Sequence, residues 1–204
     1  MALYLMLSRT NTGMGKVIRR YTGAQYNHVS LTLDPELRQF VSFARYVEDV
    51  PLVGGYIREP VERFLYLDGP VPVRIFRLEL GEERENQLRA LFDRAGRRET
   101  GLMYDSLSAL VSRWHIPGCH TCLSFASHVL GQRFTSLQAL EKYLAPHQIY
   151  KGDLRKLVPD SGNRSDAYFC RRGLLRGTGD TVLHFSKLAA RLTRMHNCKH
   201  ITLD

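Results

Sequence analysis

Two periodicities in this chain predict an α+β fold. Residues 28–33 and 71–80 alternate with the period of a β-strand, whereas residues 82–97, 121–131 and 136–144 carry apolar stripes at helical spacing. With 204 residues, 44% of them hydrophobic, the chain has material for one well-cored domain and a small appendage. It contains no internal repeat and no low-complexity tract.

Each element has its own reason. Residues 3–8 are an apolar first strand, and residues 15–22 a short basic helix with Val17 and Ile18 among Lys16, Arg19 and Arg20. In residues 28–33, His28, Ser30 and Thr32 share one face, and Val29, Leu31 and Leu33 the other. The turn Asp34-Pro35-Glu36-Leu37 leads into a paired strand over 39–44, and the next segment is expected to loop around Gly54-Gly55. Residues 71–80 form a strand of mostly β-branched or bulky residues. A charged amphipathic helix over 82–97 turns Leu88, Leu91 and Phe92 inward, and a second helix over 104–114 is closed by Ile116-Pro117-Gly118. Helices over 121–131 and 136–144 follow, the latter opening on Ser136 with Leu137, Leu140 and Tyr143 as its buried face. Beyond Pro159 the composition turns to Ser, Gly, Asn, Asp and Arg. A boundary falls there, between a domain over 1–158 and a basic extension over 159–204 with an amphipathic helix expected over 181–196.

The formal charge is +9, and the segment from Ser161 onward holds about +5 of it, eight Lys or Arg against three Asp. Such a surface attracts anionic lipid, acidic protein or nucleic acid. The basic stretches lack interleaved aromatics, so nucleic acid is a poor partner. No stretch approaches the ~18 apolar residues of a membrane span. The apolar start lacks a basic n-region and is short for an export signal, so a cytoplasmic chain with reduced cysteines is expected.

The chemistry concentrates in two segments. Cys122, Phe125, Ala126, Val129 and Leu130 fall on one helical stripe, with the thiol at its N-terminal end. Unpaired amide N–H groups and a partial positive charge at a helix start favour a thiolate and can receive an oxyanion. His28 lies on the polar face of its strand and is the natural general base. The plain alternatives are a small buried hydrophobe for Cys122 and a surface or satisfied core residue for His28.

The runs Asn27-His28-Val29-Ser30-Leu31-Thr32-Leu33-Asp34 and Thr121-Cys122-Leu123-Ser124-Phe125-Ala126-Ser127-His128-Val129-Leu130 resemble the circularly permuted branch of the papain-like NlpC/P60 superfamily. That branch includes YiiX-like proteins and the lecithin:retinol acyltransferase group. Shorter stretches agree in order and spacing, among them Val41-Ser42-Phe43-Ala44-Arg45, Gly54-Gly55-Tyr56, Met103-Tyr104-Asp105 and Ile149-Tyr150-Lys151-Gly152-Asp153-Leu154, so the similarity covers about residues 1–158. It implies a papain-like fold, a small antiparallel sheet packed against helices, with His preceding Cys in the reverse of the papain order. It also implies Cys122 as nucleophile and His28 as base. The third, orienting residue falls by position at Ser42, a weak orienter, while the carboxylate of Glu59 is the alternative. Glu59 could equally be a surface partner for Arg58 or Arg63. Tyr104 is a candidate for lining the cleft, or else an ordinary core tyrosine. Leu123 departs from the Ser or Glu that often follows the family's cysteine.

Cys119-His120-Thr121-Cys122 is also a CxxC, but it follows two helices rather than a first strand, which disfavours a redox pair. As half a zinc site it would need Cys170, His196, Cys198 or His200, whose spacing matches no common finger. The expected activity is therefore a cofactor-free thiol hydrolase or acyltransferase acting on an amide or ester of a small molecule, peptide or lipid. The alternatives are lipid acyl chemistry at an anionic membrane, contacted through the basic tail, and a catalytically silent papain-like binding module.

Overall fold

Strand β1 (Ala2–Ser8) is apolar or aromatic from Ala2 to Leu7, a pattern that suits only a position buried on both faces. In the computed structural model, which describes residues 1–10, 12–50, 52–96, 103–104 and 119–194, β1 lies inside a six-stranded sheet. Its antiparallel neighbours are β2 (His28–Thr32) and β5 (Pro72–Glu79). Beyond β2 come β3 (Gln39–Arg45) and the edge strand β4 (Gly54–Pro60). The other edge is β8 (Gln148–Asp153), and every pairing is antiparallel. The α+β expectation holds in this form.

The helices are α1 (Gly13–Thr22), the short α2 (Glu62–Leu65), α3 (Glu82–Ala95), α4 (Cys122–Leu130), α5 (Leu137–Leu144) and α6 (Gly173–Arg194). A parallel two-strand ribbon, β6 (Met103–Tyr104) with β7 (Cys119–His120), leads directly into α4. One sheet face buries Leu5, Leu7, Val29, Leu31, Val41 and Phe43 against α3, α4 and α5. The opposite face buries Met6, Phe40, Val73 and Ile75 against Phe64 and Leu65 of α2 and against Leu154 and Val158. The alternation in residues 71–80 thus serves two cores: Val73 and Ile75 face one, Phe76 the other.

Three expectations change. The loop expected around Gly54-Gly55 is a strand, paired with Arg45 and Ala44. Glycine is needed there for close approach: a Cβ on Gly54 would sit 2.2 Å from the Ala44 carbonyl oxygen, and one on Gly55 2.0 Å from Tyr46 Oη. Tyr143 is exposed rather than buried, packing on Phe134 at 5.2 Å, while Leu140 and Leu144 enter the core. The C-terminal helix begins at Gly173, ahead of the expected 181. The helix expected over 104–114 lies outside the described residues except for Tyr104, which is in β6.

The extension from residue 159 packs on the rest of the chain. Tyr168, His184 and Leu188 are buried, and Leu188 meets Cys119 in a small cluster with Met103 and Phe185.

Gly54→Ala is expected to destabilise the protein by about 1–3 kcal/mol, because the colliding atom is backbone and cannot rotate away. Urea denaturation at neutral pH measures this; stability equal to wild type would mean that β3 and β4 can separate without cost.

Candidate active site

The alternation of β2 puts His28 and Ser30 on the face opposite the aliphatic residues, and the register of β4 brings Glu59 to that same face, opposite Phe40. Glu59 is buried, and its Oε2 receives three donors: His28 Nε2 at 3.0 Å, Ser30 Oγ at 2.8 Å and Ser42 Oγ at 2.6 Å. The residues named as alternative orienters thus meet in one network. Glu59 touches the imidazole, and Ser42 touches Glu59. The surface-partner alternative for Glu59 does not apply, since Arg58 pairs with Asp93 and Arg63 with Asp166.

Burial disfavours the Glu59 carboxylate, but the His28 charge and hydrogen bond, the Ser42 hydroxyl and the Arg63 charge outweigh it and hold its pKa at about 2. Burial likewise works against an imidazolium at His28. The Glu59 charge and the Cys122 sulfur prevail, and the pKa is pushed up to about 10. The ring lies against Phe64, with centroids 6.2 Å apart, which limits its rotation.

Cys122 is the first residue of α4, a helix fastened by a reciprocal cap. Thr121 Oγ1 accepts from Ser124 N–H, and Ser124 Oγ accepts from Thr121 N–H. Gly131 closes the helix in the left-handed conformation, φ 63°. Phe125, Ala126 and Val129 anchor α4 in the core below β2 and β3, and Cys122 at the helix start is only partly buried against that core. There the sulfur lies close enough to the Val29 N–H and the His28 imidazole for both to act on its ionisation. Burial pushes the thiol up, but the His28 charge and hydrogen bond bring it below its ordinary value of 9.0. Because Glu59 engages Nε2, Nδ1 is the imidazole nitrogen left for the thiol.

His28, Glu59 and Cys122 line a small open cleft, together with Tyr104, Arg45 and Tyr168. Tyr104 therefore borders the site, and its carbonyl oxygen lies 3.2 Å from Nε2 of His184 on α6. Cys119 is fully buried beside Leu188 and away from this cleft, so the two cysteines of the CxxC face different surroundings. Among the described residues no group of three His, Cys, Asp or Glu is placed to hold a metal ion, and His196, Cys198 and His200 lie outside them.

Sequence reasoning missed Ser30, Arg45, Arg63 and Tyr168. Ser30 was within reach, since it sits two residues from His28 on the same face. The arginines and Tyr168 gave no local signal. Comparison with protein-family models, curated proteins and solved structures finds no match.

The buried pair ties stability to pH. Glu59 has a depressed pKa when folded, so its contribution is present above its ordinary 4.5 and fades as pH falls towards about 2. His28 has a raised one, so its contribution is complete below its ordinary 6.5 and fades as pH rises towards about 10. Glu59→Gln removes the first effect and the Glu59 share of the second, leaving the part owed to Cys122. The gap in unfolding free energy between wild type and Glu59→Gln is expected to be widest between pH 4.5 and 6.5 and to narrow on either side. Denaturant titrations across that range measure it; a pH-independent gap would exclude the linkage.

Proposed function

We propose that the chain is a cysteine hydrolase or acyltransferase of the permuted, papain-like NlpC/P60 kind, acting on an amide or ester through an acyl-thioenzyme. One observation carries this reading: the His28 imidazole is held by Glu59 at one nitrogen and meets, on its other side, a thiol at a capped helix start.

In this reading the Cys122 thiolate attacks the carbonyl carbon, and the C=O π pair moves to oxygen. The N–H groups of Cys122 and Leu123, in the first turn of α4, have no partner among the described residues and suit that oxyanion. As the tetrahedral species collapses, the leaving amine or alkoxide takes the proton from His28. The neutral imidazole then removes a proton from water, for a hydrolase, or from an acceptor hydroxyl or amine, for a transferase. That nucleophile displaces the thiolate, and His28 is again an imidazolium. Glu59 remains ionised and keeps the ring aimed.

An alkylation assay tests this. Iodoacetamide is expected to label Cys122 before Cys119 and Cys170 at about pH 6, well below an ordinary thiol pKa of ~8.5. His28→Ala should slow that labelling about a hundredfold at the same pH. Equal labelling of the cysteines, indifferent to His28→Ala, would reject the dyad.

Lipid acyl chemistry at a membrane has an observation of its own. Leu175, Val182 and Leu183 are exposed on α6, which also carries Arg176 and Lys187. No described helix is long and apolar enough to cross a membrane, so such contact would be peripheral. The full chain is expected to float with vesicles containing phosphatidylglycerol, and Leu175→Asp combined with Val182→Asp to stay in solution. Equal behaviour of the two proteins in flotation would remove the membrane reading.

A further inference from the structure

Two arginines line the cleft, and their charges are met differently. Arg63 donates from Nε and Nη2 to Asp166 Oδ1, at 2.8 and 2.5 Å, so a carboxylate neutralises it. Arg45 donates from Nη1 to the Glu48 carbonyl at 3.0 Å and from Nη2 to Tyr168 Oη at 2.9 Å, and neither acceptor is charged. Among the described residues no carboxylate lies within ion-pair distance of Arg45, and three of its five N–H donors have no acceptor.

The carboxylates nearby are already engaged. The Glu59 oxygen takes His28, Ser30 and Ser42. Glu48 accepts from Tyr66 Oη at 3.2 Å. Because that uses the only Tyr66 proton, the Tyr66–Tyr168 contact of 3.3 Å has Tyr168 as donor. A directed chain therefore runs Arg45 to Tyr168 to Tyr66 to Glu48, and it fixes Arg45 while leaving its charge unmet. Stacking strengthens the hold, with the Arg45 guanidinium 5.7 Å and that of Arg63 4.8 Å from the Tyr168 ring centroid.

The rim formed by Thr10, Thr12 and Asn27 offers no acid either. Behind it, Arg19 binds the Thr10 carbonyl at 2.6 Å and Asn27 Oδ1 at 2.7 Å, again neutral acceptors. A partly buried, immobilised guanidinium without a counter-ion is costly unless a ligand supplies the anion, and its planar fork matches carboxylate and phosphate oxygens.

We infer that Arg45, positioned by Tyr168 of the C-terminal extension, is an anion-binding subsite, and that the substrate of Cys122 carries a carboxylate or phosphate group within its reach. The second half of this statement rests on the reading of Cys122 as nucleophile; the first does not.

Two reagents with one warhead separate the terms. The full chain is treated with N-ethylmaleimide or with N-(2-carboxyethyl)maleimide, and modification of Cys122 is followed by mass spectrometry. In Arg45→Gln the rate ratio of carboxylated to neutral reagent is expected to fall about tenfold. Arg45→Lys should lie between, and added salt should lower the wild-type ratio. A ratio unchanged in Arg45→Gln would overturn the subsite.

If the neutral reagent shows no preference for Cys122, the nucleophile reading fails, and the subsite is judged without it. In Cys122→Ala protein, benzoate or phenyl phosphate should raise Tm where benzyl alcohol does not, and adding Arg45→Gln should abolish the rise. The anion that acts distinguishes carboxylate from phosphate. No rise with either anion would overturn the subsite.

Discussion

The structure depends most on the buried carboxylate of Glu59. An ion removed from water carries a penalty of several kcal/mol unless its lone pairs are met. Here one oxygen collects donors from two neighbouring strands, His28 and Ser30 on β2 and Ser42 on β3, while Glu59 itself comes from β4. The three strands must keep their register for the charge to be met, since a slip of one residue turns Glu59 to the aliphatic face. The interaction that aims the imidazole is thus also one that makes misregistration of the edge strand expensive. Orientation of the imidazole and strand register share one group.

The meeting of thiol and imidazole follows from where α4 can lie. Its apolar stripe packs below Val29, Leu31 and Phe43, on the face opposite His28 and Glu59. A cysteine one turn later, at Ala126, would be sealed in that core, where burial alone keeps a thiol protonated. The first residue of the helix lies instead where the Val29 N–H and His28 both act on the thiol. The helix start contributes its own unpaired donors at the same point. Position along the helix, more than residue type, separates a thiol beside an imidazole from one sealed in the core.

Much of this was legible in the chain. The alternation of residues 28–33 assigned His28 to a polar face, and the stripe beginning at Cys122 assigned the thiol to a helix start. Both assignments need only local periodicity. The link between Glu59 and Ser42 was not legible, because it depends on the pairing of β3 with β4, which no local pattern states. Gly54 and Gly55 actively misled: glycine usually marks a loop, and here it marks close contact of a strand with Ala44 and Tyr46. The same bias hid the start of α6. Gly173, Gly177 and Gly179 lower helix propensity, yet a Cβ on Gly177 would stand only 3.2 Å from Val50 Cγ2. In each case tertiary contact overrode the local signal.

The compositional break after Pro159 does not mark a gap in packing. Arg63 reaches across it to Asp166, Arg45 to Tyr168, and His184 to the carbonyl of Tyr104. All three contacts end on residues that line the cleft, and Tyr104 also belongs to the ribbon that delivers the chain into α4. A polar segment rich in Ser, Asn and Gly can therefore be part of the packed structure when its few aromatic residues dock: Tyr168 is buried and Phe169 meets Tyr66 edge to face at 5.4 Å. Composition reports how much apolar surface a segment can bury, but not whether the rest of the chain holds a place for it. Here that place is the wall of the cleft, so the extension borders the same cleft as the strands that carry Glu59 and His28.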